Sequence, residues 1–448
     1  MTLQLGRGSL VVQWPEKELF SSLVMFRHTK DGGEYEELFT YSPERHMLVT
    51  LPGFANRLTA LYKGLFKIRD ERTPMPEPDF KAALGLMPEV WRPAMEKFIA
   101  EGGGIMSIPD LMGPVKVMAS ILRAFPRDRL LDRGTPISLI AARDSRCVHS
   151  ISYDLRRLLP DREIGVGPDT DSEDIIIVQY EHLDQVPRHL TGVLIADDAG
   201  YDGSDINARA EGISGIRNAA RFGIISSPAG GDKDVDIAVE GLFGPLTASA
   251  TYDDAVKAKA AVPVTVCWMP CPRPNAPLVS ADLDTLSALA MHRNRAFVKM
   301  VSDIMRETPP VVGCLMTGHH EMLKRISKTL NVAFVTKKSY KHRKVILDDI
   351  ASGVIRKALL DGYFPESSSH GVMISATCGG ADAVQWFPWR ELAREGDKVY
   401  IVDFHHKWDM HNGRPGRLAR NDEARERRYA DMGFSQIQLE DVKQLPFL

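Results

Sequence analysis

Cysteine is scarce in this chain: five residues in 448, odd in number and widely scattered. That excludes a disulfide framework and points to a reducing compartment. No run of about 18 apolar residues occurs, so no membrane span is expected. The first twenty residues lack an apolar stretch followed by a small-residue cleavage site, so no secretory signal is expected either. Neither charge sign dominates. The 56 basic and 59 acidic residues leave a net charge of −3, which gives no global pull toward nucleic acid or membrane, so any such site must be a local patch. Internal repeats and low-complexity tracts are absent. What remains is ordinary globular composition, 44 % hydrophobic and 26 % charged, in a chain long enough for two to four domains at roughly 100–200 residues each. A soluble, cytoplasmic protein is expected.

The first 80 residues mix strand-like runs (SLVVQW, HMLVTL) with a helical stretch from Phe54 to Phe66. They end in ERTPMPEPDF, whose three prolines mark a linker because proline fixes φ and extends its predecessor. Helix–strand alternation follows. GGGIMSIP, ISLIAA, DIIIVQY, GVLIAD and GIISS read as buried strands, and VKVMASILRAF and VHSISYDLRRLL as helices, which predicts a parallel sheet with crossover helices. A second such series starts near Asp284, with LSALAMHRNRAFVKMVSDIM and KVILDDIASGVIRKALL as helices and VVGCLM, VAFV, GVMISA and KVYIVDF as strands. NDEARERRYADMGF reads as a solvated helix. The expected organisation is a small α+β domain at 1–80, an α/β domain at 81–243, a Pro-rich connector at 244–283 and a second α/β domain at 284–448.

The order of short motifs adds to this. WRPAMEKFIAEGGGIMSIPDLMGPVKVMASILRAF is followed by SLIAARDSRCVHSISYDLRRLL, DIIIVQYEHLDQVP, GVLIADDAG, RFGIISSPAG and EGLFGPLTASATYDDAVKAKAAVPVTV. HRNRAF, VVGCLMTG, GVMISATCGGAD, QWFPWRELAREGDK and YIVDFHHKW come next. In order and spacing the chain resembles a superfamily 2 DNA helicase of the phage repair-helicase type, related to the DEAD/DEAH-like translocases. The resemblance runs from about Asp70 to Phe434. It implies two tandem RecA-like domains after a small N-terminal domain, a role in DNA replication, repair or recombination, and a phage source with function in the host cytoplasm.

The ATPase residues that the resemblance implies are degenerate. A GxGKT phosphate loop works through backbone N–H groups, a lysine at the phosphates and a hydroxyl on Mg²⁺. Its counterpart is Pro109-Asp110-Leu111-Met112-Gly113-Pro114-Val115, with Lys116 two positions late. Met95 stands at the adenine-reading glutamine. The DExH motif becomes Asp197-Asp198-Ala199-Gly200, in which the second carboxylate is one methylene short, and positioning errors near 1 Å can cost ~10²-fold. Motif III becomes Ile225-Ser226-Ser227. The arginine-finger motif becomes Gln385-Trp386-Phe387-Pro388-Trp389-Arg390, then Arg394, shifted but with the two arginines at i,i+4 on one helix face.

Single-strand contacts rest on backbone groups, hydroxyls and a few cations. The candidates are Arg143, Ser145, Arg146, Gln179 and Tyr180 in the first domain, and Thr317, Gly318, His319, Thr377 and Gly379 in the second. Lys337, Lys338, Lys341, Arg343 and Lys344 form the densest basic patch, suited to salt-dependent, sequence-independent binding. No metal is expected. Cys267 and Cys271 lack a second ligand pair at zinc spacing, and Asp403, His405, His406, Asp409 and His411 read as a strand end with a polar turn. Trp386 and Trp389 read as core or as a partner anchor.

The expectation is an ATPase-inactive pseudo-helicase without a cofactor. It would act as a scaffold for single-stranded or branched DNA, or for a protein partner such as a replication or repair factor or an active helicase. Two alternatives stand beside it: an active ATP- and Mg-dependent helicase or translocase with atypical motifs, and a structural or regulatory subunit that binds no DNA.

Overall fold

The computed structural model describes residues 2–5, 9–13, 27–29, 35–37, 39–61, 67–70, 75–109, 112–131, 137–168, 174–186, 191–199, 213, 220–227, 237–275, 282–308, 312–315, 320–335, 345–346, 349, 354–360, 371–385, 398–411 and 413–448. The chain divides into two units, Met1–Thr251 and Tyr252–Leu448. Among the described residues no helix is long and apolar enough to cross a membrane.

The first unit opens with a five-stranded sheet of β1 (Thr2–Leu5), β2 (Leu10–Gln13), β3 (Phe39–Ser42), β4 (Met47–Thr50) and β5 (Lys67–Asp70), in the order β3-β4-β2-β1-β5. Alternation of buried and half-buried residues in β2 and β4 gives this sheet one covered face. The turn Pro52–Phe54, which leads into the helix Ala55–Leu61, then packs against the helix Ile237–Phe243. Backbone meets backbone there. A Cβ on Gly53 would lie 2.1 Å from the Glu240 carbonyl oxygen and 2.6 Å from the Gly244 nitrogen, so glycine alone fits. Arg57 closes the contact with a two-pronged ion pair to Glu240.

The same unit holds a seven-stranded, wholly parallel sheet of β6 (Gly103–Pro109), β7 (Ile137–Ala142), β8 (Ile164–Val166), β9 (Ile175–Gln179), β10 (Thr191–Asp197), β11 (Ala220–Ser227) and β12 (Leu246–Ser249). Its order is β8-β9-β7-β10-β11-β6-β12. β6, β7 and β9 are near-continuous apolar runs because helices cover both faces of such a sheet. Helices α1 (Arg92–Ala100), α2 (Val115–Ala124) and α3 (Ser145–Leu158) supply that cover. Beside them, a two-pronged Arg162–Asp174 ion pair and an Arg162 bond to the Leu122 carbonyl tie the β8 and β9 ends to α2.

The second unit repeats the plan. Its sheet contains β13 (Val264–Pro270), β14 (Val312–Leu315), β15 (Ala333–Val335), β16 (Lys357–Leu360), β17 (Val372–Ser375), β18 (Val399–His405) and β19 (Ser435–Gln438). All pairings are parallel, in the order β15-β16-β14-β17-β18-β13-β19. The two sheets make the α/β class that the strand and helix pattern predicts, with the two RecA-like domains that the resemblance implies.

Several local expectations are corrected. Residues 244–283, expected as a connector, contribute β12 to the first sheet and β13 to the second, because VPVTVCW is a buried apolar run despite its flanking prolines. The long helix expected from Leu286 is two, Leu283–Ala290 and α4 (Arg295–Glu307), since the Asn294 side chain accepts the Phe297 N–H and starts a new helix. KALL, expected to end a helix, is strand β16; a short apolar run fits either period. The C-terminal helix, α5 (Arg417–Asp431), is not merely solvated: Leu418, Asp422, Arg425 and Tyr429 are buried along one face.

Candidate functional site

Parallel strands put all their carboxyl ends on one edge, where open α/β sheets bind ligands. In the first unit that edge gathers the ends of β6, β7, β9, β10 and β11. Register sets Pro109 beside Ser227 and Asp197 beside Ile224. Asp197 is fully buried, and its carbonyl accepts the Tyr180 hydroxyl at 2.7 Å. Tyr180 therefore belongs to the core cluster beneath the edge, and its ring offers no stacking face; Gln179 is half-buried. Asp198 turns the chain at φ +55°, a left-handed conformation that Asp tolerates better than most residues.

Arg143 follows β7 and reaches Asp198 at 3.4 Å and Asp144 at 3.2 Å. Burial works against its charge, but Cys147, Asp198 and Asp144 outweigh it and hold the guanidinium above its ordinary value. Asp144, missed in the sequence reading, also caps α3 by accepting the Cys147 N–H at 2.9 Å; an Asp three residues before a helical N–H is the signal that could have found it. Ser145 is exposed on the first turn of α3.

The phosphate-loop counterpart lies between β6 and α2. Met112 and Pro114 are buried, Val115 begins α2, and Lys116 points to solvent. Gly113 has φ +70°, and a Cβ there would meet nothing within 4 Å, so the turn needs glycine for its backbone conformation. Met95 is fully buried in α1.

In the second unit, Thr377 and Gly379 lie on the loop 376–380 after β17, where the Thr377 hydroxyl accepts the Gly379 N–H at 3.0 Å. A charged network sits beneath them. Arg425 pairs with both oxygens of Asp403, at 3.1 and 3.2 Å, and with Asp422 at 3.0 Å; it also donates to the carbonyls of Phe404 and Gly379. Tyr429 donates its hydroxyl to Asp403 at 2.9 Å. His406 Nδ1 lies 2.9 Å from Asp422, and Nε2 lies 3.6 Å from the Cys378 sulfur. Two carboxylates and one guanidinium leave a net negative charge, which a protonated His406 cancels. Burial opposes that proton, but the Cys378 and Cys271 sulfurs and the Asp422 hydrogen bond hold the imidazole well above its ordinary range. Asp422 is correspondingly lowered: burial pushes it up, and the His406 contacts and Arg425 outweigh that.

His405 instead stacks on Trp268, and burial lowers it. Asp409 accepts the Leu418 N–H and helps start α5. Cys267 and Cys271 are buried free thiols. No group of three or more potential metal ligands occurs among the described residues. Asp110, Thr317, Gly318, His319, Lys337, Lys338, Lys341, Arg343, Lys344, Trp386, Trp389, Arg390 and Arg394 lie outside the described residues, as does the side chain of Arg146.

No protein-family model and no curated protein matches the chain. Solved structures do. The DUF1998 helicase MrfA, bound to DNA and AMPPNP, matches with a TM-score of 0.51 and 11 % identity over 83 % of this chain and 55 % of its own, so the chain spans about half of it. Dbp5 of S. cerevisiae, bound to RNA and ADP BeF3, matches with a TM-score of 0.50 and 10 % identity over 80 % of this chain and 93 % of its own. UvsW of bacteriophage T4 covers 98 % of this chain and 99 % of its own at 15 % identity, with a TM-score of 0.41. The chain has a superfamily 2 helicase-like fold.

Proposed function

We propose that this protein is a pseudo-helicase: a superfamily 2 scaffold that holds nucleic acid and does not turn over ATP. The phosphate-loop counterpart carries the reading. A Mg-triphosphate needs converging N–H groups, a cation and a hydroxyl. Pro114 supplies neither N–H nor charge, Met112 fills the turn with buried apolar atoms, Val115 replaces the hydroxyl and Lys116 is directed to solvent. Neither ATP nor Mg²⁺ fits these residues. At motif II the only carboxylate in the glutamate's place, Asp198, is engaged by Arg143, and Met95 has no polar atom with which to read adenine.

Nucleic acid is favoured as the partner because backbone-borne contacts survive the loss of the ATPase residues, and because MrfA and Dbp5, which share the fold, were solved with DNA and RNA. The setting is DNA replication, repair or recombination, with a phage-encoded protein acting in the host cytoplasm.

The test is paired. Calorimetric titration with millimolar Mg-ATP is expected to give no binding, while a labelled single strand binds with an affinity that falls as salt rises. DNA-stimulated hydrolysis that disappears in Asp197→Ala would overturn the reading. An absence of any nucleic-acid binding at low salt would instead favour a structural subunit.

A further inference from the structure

We infer that the outer face of α5, with the hairpin that precedes it, is a contact surface for the backbone of duplex nucleic acid; the inference goes beyond the single-strand reading above and rests on its nucleic-acid partner. The segment opens with Lys407 and the paired two-residue strands Met410–His411 and Arg414–Pro415, and continues as α5. Helical spacing divides α5 into two faces. Leu418, Asp422, Arg425 and Tyr429 are buried, and Arg417, Arg420 and Arg427 are exposed on the opposite side. Arg428 is half-buried at the margin of that stripe, and Lys407 and Arg414 are exposed just ahead of it.

In a chain of net charge −3, this surface is one-sided. Asp409 and Asp422 are buried, and Glu426 is turned to β19, where it meets the Gln438 amide. Glu423 and Asp431 are the exposed carboxylates that remain. Among the described residues, no carboxylate pairs with Lys407, Arg414, Arg417 or Arg420. The helix gains nothing from these cations. Its first turn holds no acidic residue, Gly416 offers no capping side chain, and two like charges three residues apart stand where the macrodipole disfavours them. Asp409 supplies the missing cap: its carboxylate accepts the Leu418 N–H at 2.8 Å and fills the space beside Gly416, where a Cβ would lie 2.2 Å from its oxygen. A buried carboxylate thus pins the hairpin to the helix and leaves the arginines to solvent. Cations that stabilise nothing within the fold point to a partner outside it.

Their chemistry selects that partner. Five of the six cations are arginines, whose planar fork matches phosphate. From Arg417 to Arg427 the helix rises ~15 Å, about four nucleotides of one duplex strand at ~3.4 Å each. Single-strand sites add aromatic faces for base stacking. Trp408 offers none, since it packs edge-on against His406 and gives its indole N–H to the Cys271 carbonyl. A protein interface is centred on large apolar anchors. Between these arginines stand Ala419 and Ala424, and Met410 is the one large apolar side chain exposed there among the described residues. A basic helical ridge of this kind meets phosphates and reads no sequence.

The test uses the full chain with a fluorescein-labelled, mixed-sequence duplex of about 20 base pairs and a labelled oligothymidylate of the same length, titrated by anisotropy across salt. Arg414→Gln, Arg417→Gln and Arg420→Gln are combined in one variant. They remove no hydrogen bond within the fold, so its melting temperature should match or slightly exceed that of wild type. Duplex affinity at low salt is expected to fall about three- to a hundredfold. The slope of log affinity against log salt should become shallower by roughly two to three, with a smaller change for oligothymidylate. Arg→Lys at the same three positions should keep the slope. A distant control combining Lys299→Gln, Lys324→Gln and Lys328→Gln removes the same charge from exposed positions on other helices of the second unit, and should leave duplex binding near wild type. Wild-type duplex affinity and slope in the glutamine variant overturn the inference, as does an equal loss in the distant control or for oligothymidylate. Tighter binding of labelled polyglutamate than of duplex would assign the face to an acidic protein segment and overturn it too. A wild-type protein that binds neither nucleic acid overturns the proposed function, and this inference with it; single-strand binding without duplex binding overturns the inference alone.

Discussion

Replacing Arg425 with methionine isolates the energetics of the buried network. The substitution keeps the side-chain volume roughly constant and removes the cation between Asp403 and Asp422. Asp422 keeps His406 as a partner. Asp403 is left with the Tyr429 hydroxyl and the Phe404 N–H alone, in a site from which water is excluded. Removing one partner of such a pair typically costs ~3–5 kcal/mol, most of it from the stranded charge. Against a total stability of ~5–15 kcal/mol that is roughly a fifth or more. At ~2–4 °C per kcal/mol for a unit of this size, the melting transition of Tyr252–Leu448 should fall by ~6–20 °C. Scanning calorimetry reads this directly. A stranded charge has a second consequence: adding Asp403→Asn to Arg425→Met should raise the transition again, since the amide needs no counter-charge. A drop below ~2 °C, or a double variant less stable than the single one, would refute the reasoning.

Other consequences follow from the same structure. The folded-state value of His406 is raised, so its contribution is complete below the unfolded value, about pH 6.5, and is lost only as pH rises through the higher folded-state value. His405, which burial lowers, acts in the opposite sense. The gap in melting temperature between wild type and His406→Gln should therefore be widest near neutral and mildly acid pH and shrink on the alkaline side; a gap that widens with rising pH would contradict the assignment. Gly53→Ala would drive a Cβ into the backbone at Glu240 and Gly244, so proteolysis should release the N-terminal sheet from the first unit far faster than in wild type, and equal cleavage rates would contradict the docking. Arg162→Leu removes the two-pronged guanidinium from Asp174 and is expected to lower the melting temperature of the first unit, an outcome that Asp174→Asn in the same chain should partly reverse.

The strands were the most legible part of the sequence. Buried parallel strands such as ISLIAA and DIIIVQ are apolar on both faces, and nothing else in the chain combines that composition with that length. The departure of residues 109–115 from a GxGKT string is a statement about contiguous residue types and needs no structure to be made. The network under loop 376–380 was not legible. NDEARERRYAD has the composition of a solvated helix, and its buried face mixes Leu418 and Tyr429 with Asp422 and Arg425. A hydrophobic period could not find a face half made of charges. The signal was indirect: Asp403 lies inside an apolar strand, and a buried carboxylate requires a cation from elsewhere. At Tyr180 the sequence does not show that the ring belongs to the core and the hydroxyl is bonded to the Asp197 carbonyl, since an aromatic at a strand end fits either side of that boundary.

The strand order also sets a timetable for synthesis. β6 pairs with β11 on one side and β12 on the other, so it stays unpartnered on the ribosome until segments far downstream have emerged. The wait to complete both edges is about 140 residues for β6, and about 170 for β13, which sits between β18 and β19; at ~5–20 residues per second each lasts roughly 10–30 s. For that time two of the most apolar strands in the chain are open to wrong partners. Expression at low temperature or with chaperone support should raise the yield of soluble protein more than any change to its surface.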